Sequence, residues 1–61
     1  MTEHEKLMLR RHLYAAARYY AATIATLQDA NTMSGNVPQA LIENLRASRI
    51  DALAIAERLN G

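Results

Sequence analysis

The chain has no cysteine, phenylalanine or tryptophan, and only one proline and two glycines among its 61 residues. Without cysteine there are no disulfide staples, thiolate metal sites or cysteine nucleophiles, and the absence fits a reducing compartment. Long apolar runs are missing too. The uncharged stretch 19–28 is far shorter than the roughly 20 residues a membrane span needs. No N-terminal segment joins a basic start, an apolar run and a small-residue cleavage site, so no signal peptide is expected. A soluble, cytoplasmic protein without a membrane partner is the expectation. A charge excess of one sign is also lacking, since the net charge is +1, too small to imply nucleic acid by itself.

A 61-residue chain forms at most one domain, residues 1–61. A domain of that size buries only about 60% of the surface its unfolded form exposes. Disulfides, a metal or partner chains are the usual remedies, and with the first excluded, self-association is the expected one.

What is present is helix-forming sequence. Thr2 and Glu5 have the spacing of a capping box, and Glu3 and Glu5 suit the positive end of a helix dipole. No Gly or Pro interrupts the chain from there to Ala30, and alanine dominates the centre. A first helix over about residues 3–30 is predicted, roughly 42 Å long. Residues 31–36, Asn-Thr-Met-Ser-Gly-Asn, are turn formers. Pro38 suits the first turn of a second helix, with Asn36 or Val37 as its cap. That helix is predicted over about residues 38–59, stopped by Asn60 and Gly61. So short a connection favours an antiparallel pair.

In helix 2, Leu41, Leu45, Ser48, Ala52, Ile55 and Leu59 recur at spacings of four and three, the seam of a left-handed bundle. The matching seam in helix 1 is Leu9, Leu13, Ala16, Tyr20, Thr23, Leu27 and Ala30. These stripes are expected to face each other as core. Helix 1 carries a second stripe, Met8, His12, Ala15, Tyr19, Ala22 and Thr26, about 100° from the first. A helix apolar on most sides belongs in an interior, and Ala15 and Ala22 permit close approach of another helix. The fold class is therefore all-α: an antiparallel hairpin assembling into a homo-oligomer, in the simplest case a dimeric four-helix bundle, with the second stripe as its interface. His12 is a candidate hydrogen-bond partner for the Tyr19 phenol, within or between chains.

Charge is segregated. Residues 6–28 contain Lys6, Arg10, Arg11 and Arg18 and no acid, whereas helix 2 balances Arg46, Arg49 and Arg58 against Glu43, Asp51 and Glu57. Arg10, Tyr14 and Arg18 are successive i, i+4 neighbours, continued by Lys6. Guanidinium groups fork onto phosphate oxygens, and a tyrosine between them can stack on a base. The plainer alternative is a solvated bundle edge. Arg49 falls among the apolar residues Ile42, Leu45, Ala52 and Leu53, so it must snorkel, pair with a carboxylate or meet an anionic ligand.

Catalytic groups are few. His4 and His12, eight residues apart on one helix, are ~12 Å apart and cannot share a metal. No zinc-protease motif, phosphate loop or paired carboxylates occur. No enzyme, metal site or cofactor is expected.

A hairpin of about sixty residues beginning Met1-Thr2-x-x-Glu5-Lys6, with two heptad-patterned helices and a basic and aromatic stripe on the first, resembles the plasmid repressor-of-primer family. The resemblance implies a homodimeric four-helix bundle that grips paired RNA loops through helix 1, with Arg10, Tyr14 and Arg18 on the RNA-facing stripe. The small oligomeric format is also similar to short phage proteins that sequester signalling nucleotides or block host proteins.

The leading expectation is a non-enzymatic homo-oligomer that binds a phosphate-bearing partner, RNA or a nucleotide, through Arg10, Tyr14 and Arg18, supported by Lys6 and Arg11 and with Arg49 as a further ligand contact. The competing one is a protein-interaction module, an inhibitor or antitoxin-like adaptor, that docks another protein on the second stripe of helix 1. The third is a purely structural assembly unit.

Overall fold

A computed structural model describes residues 1–60 as two helices, α1 (Glu3–Ser34) and α2 (Gln39–Arg58), with no strand among the described residues. The α1 start is the expected capping box. The Glu5 amide donates to Thr2 Oγ1 at 3.1 Å, and the Thr2 amide donates to Glu5 Oε1 at 2.9 Å. That backbone N–H, with the Thr2 side chain second, holds the Glu5 carboxyl below its ordinary pKa.

The α1 helix runs past the expected end at residue 30. The turn formers there do not leave the helix, because the Thr32 and Ser34 hydroxyls donate to the carbonyls of Gln28 and Ala30, each four residues back. The helix stops at Gly35, whose φ of 71° is the left-handed conformation that glycine adopts without a Cβ penalty, and whose amide donates to Asn31 O at 2.7 Å. The reversal is therefore shorter than expected, covering residues 35–38. Asn31 braces it by accepting the Val37 amide on Oδ1 at 3.3 Å. Pro38 is the N-cap rather than a first-turn residue, because its ψ of 127° is extended, and it offers no side-chain cap. At the other end Leu59 is the C-cap. The expected stop at Gly61 lies outside the described residues.

The helices are antiparallel, with Arg10 meeting Leu59 at one end and Asn31 meeting Val37 at the other. Nine of the thirteen expected seam residues are buried or half-buried, Leu13, Ala16, Tyr20, Thr23 and Leu27 of α1 with Leu45, Ser48, Ala52 and Leu59 of α2. Leu13, Tyr20 and Leu27 face Leu45, Ala52 and Leu59, all buried or half-buried. The alternate positions are displaced by one. The buried residues are Ala17 and Ile24 rather than Ala16 and Thr23, and Ile42 and Ala56 rather than Leu41 and Ile55. Leu9, Ala30, Leu41 and Ile55 are exposed, the last two by 44% and 43%. Heptad stripes one residue apart share every other member, and both are apolar here, so spacing alone does not choose between them.

The core is small. Of its five residues, Ala17, Ile24, Ile42, Ala52 and Ala56, only the two isoleucines exceed an alanine. The molecule measures 47 × 14 × 12 Å, with a radius of gyration of 14.4 Å, against about 10.5 Å for a compact domain of this length. Its accessible surface is 4519 Å², where a compact monomer of this mass exposes about 4,000 Å². No helix is long and apolar enough to cross a membrane among the described residues.

Two outcomes follow from this packing. Ile42, 2% exposed, is the largest buried side chain, and Ile42→Ala is expected to remove about 2–5 kcal/mol, read as a lower urea midpoint in far-UV circular dichroism. Because folding lowers the Glu5 pKa, its contribution is present above the unfolded carboxylate pKa and is lost as pH falls through the folded one, which lies below it. Protection of the first-turn amides, taken relative to their intrinsic exchange rates, should fall as pH drops through the folded pKa in the native protein, and the fall should be blunted in Thr2→Val.

Candidate functional site

The α1 residues that pack on α2 leave two flanks on the hairpin. One carries charge. Arg10 and Tyr14 stand at its open end against the C-terminus of α2. Arg10 Nη1 donates to Leu59 O at 2.8 Å, and Asn60 Nδ2 donates to the Tyr14 hydroxyl at 3.5 Å. A guanidinium is well suited to that place, where unpaired carbonyls and the negative end of the helix dipole gather. Arg10 and Tyr14 are half-buried by these contacts, so the hairpin itself uses part of the expected ligand stripe.

The remaining cations divide into tied and free. Lys6 Nζ lies 3.4 Å from Glu3 Oε1, the one ion pair among the described residues. Arg11 and Arg18 are exposed and have no carboxylate partner there. Arg18 precedes Ala21 by one helical turn and so lies toward the charged flank, which also holds an open hollow of ≈ 420 Å³ lined by Ala21, Ile24, Gln28, Arg46, Arg49 and Ile50 but not by Arg18. Of the alternatives for Arg49, pairing is not adopted. The side chain is exposed, without a carboxylate, and turned into this hollow beside Arg46. Arg46, Gln28 and Ile50 were not foreseen as site residues. The available signal was the i, i+3 spacing of Arg46 and Arg49, which puts two guanidinium groups on one face of α2.

The opposite flank carries an uncharged stripe, with Asp51 and Arg58 at its α2 border one turn from Ser48 and Ile55. The stripe is built from Leu9, Ala16, Thr23 and Ala30 of α1 with Leu41, Ser48 and Ile55 of α2, the unburied alternates of the two seams. The Thr23 hydroxyl donates to Tyr19 O at 2.9 Å, so this side chain offers mainly its methyl group outward. The second stripe of α1 lies next to this flank, about 150° from the α2 contact and so nearly on the back of the helix. Met8, His12, Ala15, Tyr19, Ala22 and Thr26 are all exposed, Tyr19 by 69% and Met8 by 39%. Thr26 donates to Ala22 O at 3.0 Å, leaving the stripe without a free hydroxyl donor except Tyr19. Tyr19 packs edge-on against Tyr20 at 6.3 Å. It makes no hydrogen bond to His12 within the chain.

No family model, curated protein or solved structure matches this chain. The functional reading therefore rests on the two flanks and on the free arginines.

Arg10 has a structural duty that Arg18 lacks. Arg10→Ala is expected to cost about 1 kcal/mol of hairpin stability, as the loss of a charge-assisted bond at a helix C-terminus, with faster amide exchange at residues 57–60. Arg18→Ala should leave both unchanged.

Proposed function

We propose that the hairpin self-associates through its uncharged stripe, as a homodimeric four-helix bundle, and holds a phosphate-bearing polymer, RNA, along the charged flank. The observation that carries this reading is the partition of charge. Arg11, Arg18, Arg46 and Arg49 are exposed without carboxylate partners among the described residues, while the stripe of Leu9, Ala16, Thr23, Leu41, Ser48 and Ile55 holds no charge itself and is bordered on α2 by Asp51 and Arg58. A helix touching one neighbour needs a single heptad seam, whereas a helix in a four-helix bundle carries apolar residues at a third position beside it. Both helices have that third position, and the surface excess of about 500 Å² over a compact monomer supports its being covered.

Covering that face leaves the charged flank outward, and twofold symmetry supplies it twice, which strengthens the field felt by a polyanion. The guanidinium groups suit phosphate oxygens. Tyr14, half-buried against Asn60, is the aromatic beside them on which a base can stack. The resemblance to the repressor-of-primer family points to the same use of helix 1, with Arg11 and Arg18 in place of Arg10 as the cations free to act.

A second reading, another protein docked on the back of α1, is favoured by one feature: Tyr19 is 69% exposed amid a stripe with no cation or carboxylate. Amphipathic tyrosines are enriched where proteins meet.

The readings separate in one titration. Anisotropy of a labelled RNA stem-loop should report binding that weakens steeply with salt. Arg11→Ala with Arg18→Ala should weaken it at least tenfold and flatten the salt slope by about two units. Both side chains are free in the hairpin, so folding is not at issue. Unchanged affinity in the double variant, or no binding by the native protein at low salt, would overturn the RNA reading.

A further inference from the structure

The hollow between the helices has a second character, which shares Arg46 and Arg49 with the RNA reading but does not use Arg11 or Arg18. Along the α2 face that meets α1, the seam positions are Ile42, Leu45, Arg49, Ala52, Ala56 and Leu59. Five of these are apolar and buried or half-buried, and one is a cation that stays exposed. A leucine at position 49 would fill the gap left opposite it by the small Ala21. The chain instead has an arginine there, and an open space of ≈ 420 Å³ between the helices. In a hairpin with only two buried side chains larger than alanine, giving a seam position to a charged group weakens a core that is already short of apolar volume.

The space is composite. Ile24 supplies a buried apolar floor, the exposed Ala21 and Ile50 supply apolar walls, Arg46 and Arg49 supply two guanidinium groups, and Gln28 supplies an amide that both donates and accepts. None of these side chains forms a hydrogen bond or ion pair within the chain among the described residues. Small-molecule sites combine these elements: mostly apolar walls in a volume of about 300–1,000 Å³, with a few polar groups that fix orientation. Two forked cations select phosphate or carboxylate oxygens. The apolar floor takes a flat ring, and the Gln28 amide can pair with a donor and acceptor on that ring's edge.

We infer that this hollow is a binding site for a small organic phosphate carrying a planar ring, of the size of a nucleoside monophosphate, with Arg46 and Arg49 on the phosphate and Ile24 and Ile50 against the ring. Arg49 is then retained for ligand binding at the expense of hairpin packing. This sets the site apart from an incidental surface dimple, in which filling the seam would have no effect on any ligand.

The test is a thermal-shift and calorimetric titration of the full chain with adenosine 5′-monophosphate, with adenosine and inorganic phosphate as separate arms. The nucleotide should raise the unfolding midpoint by mass action on the folded state and bind at least tenfold more tightly than either fragment. Arg46→Ala should weaken it at least tenfold. Arg49→Leu should do the same while raising the midpoint of the ligand-free protein by about 4 °C or more, so that lost binding is not lost folding. The Arg11→Ala, Arg18→Ala double variant should keep the nucleotide affinity, which separates this site from the RNA-binding stripe. The inference is overturned if either fragment matches the nucleotide, if Arg49→Leu binds the nucleotide as the native chain does, or if the native chain binds none at millimolar concentration.

Discussion

Two helices that touch along one line can each bury only one stripe, and this limit governs the molecule. The contact closes over Ala17, Ile24, Ile42, Ala52 and Ala56, and alanine contributes little apolar area to a core. The small residues let the helices approach closely, but among the described residues they leave two isoleucines as the only buried side chains larger than alanine, with Leu13, Tyr20, Leu27, Leu45, Leu53 and Leu59 half-buried around them. The 47 Å length follows from the same fact, since a 32-residue helix with nothing folded across it spans its full extent. Such a molecule keeps an apolar margin beside its seam because neither helix can wrap the other.

Apolar residues border the seam on both sides, but on one they are mixed with free arginines, as Ile50 is with Arg46 and Arg49, and this gives the surface its organisation. The seam residues Leu13, Tyr20 and Leu27 are shared between two heptad frames. One frame turns into the hairpin. The other, with Leu9, Ala16 and Thr23 and its counterpart Leu41, Ser48 and Ile55, is left as the uncharged stripe. The arginines are found toward the other side or at the hairpin's open end, where Arg10 completes the C-terminus of α2. A single rotational choice thus decides which residues are core, which lie along the uncharged stripe, and which stand with the free arginines.

Much of this was legible in the residues. The capping box, the chain reversal and the two-helix architecture follow from local chemistry that no tertiary contact has to decide. The rotation of α1 about its axis does not. Ala16 and Ala17, or Thr23 and Ile24, are near-equivalent candidates when adjacent positions are both apolar, and the selection is made by the partner helix. The length of α1 was underestimated for a related reason: Thr32 and Ser34 return their hydroxyls to the helix that their type usually interrupts. At the candidate site, Arg49 stood out because a cation broke an apolar stripe. Arg46 and Gln28 gained meaning only when the two helices brought them to the same hollow.

The repacking of a few side chains also separates roles that sequence spacing merges. Arg10 and Arg18 lie on one stripe at regular intervals, but one is bound to a backbone carbonyl and the other is free. The account turns on the uncharged stripe being the face between copies of this chain. Sedimentation equilibrium tests that most directly, applied to the native protein and to two single variants, Ile55→Glu on the flank and Ala22→Glu on the far side of α1. The expected result is a dimer for the native chain and for Ala22→Glu, and a monomer for Ile55→Glu. A native chain that remains monomeric, or a dimer that survives Ile55→Glu but not Ala22→Glu, would contradict it.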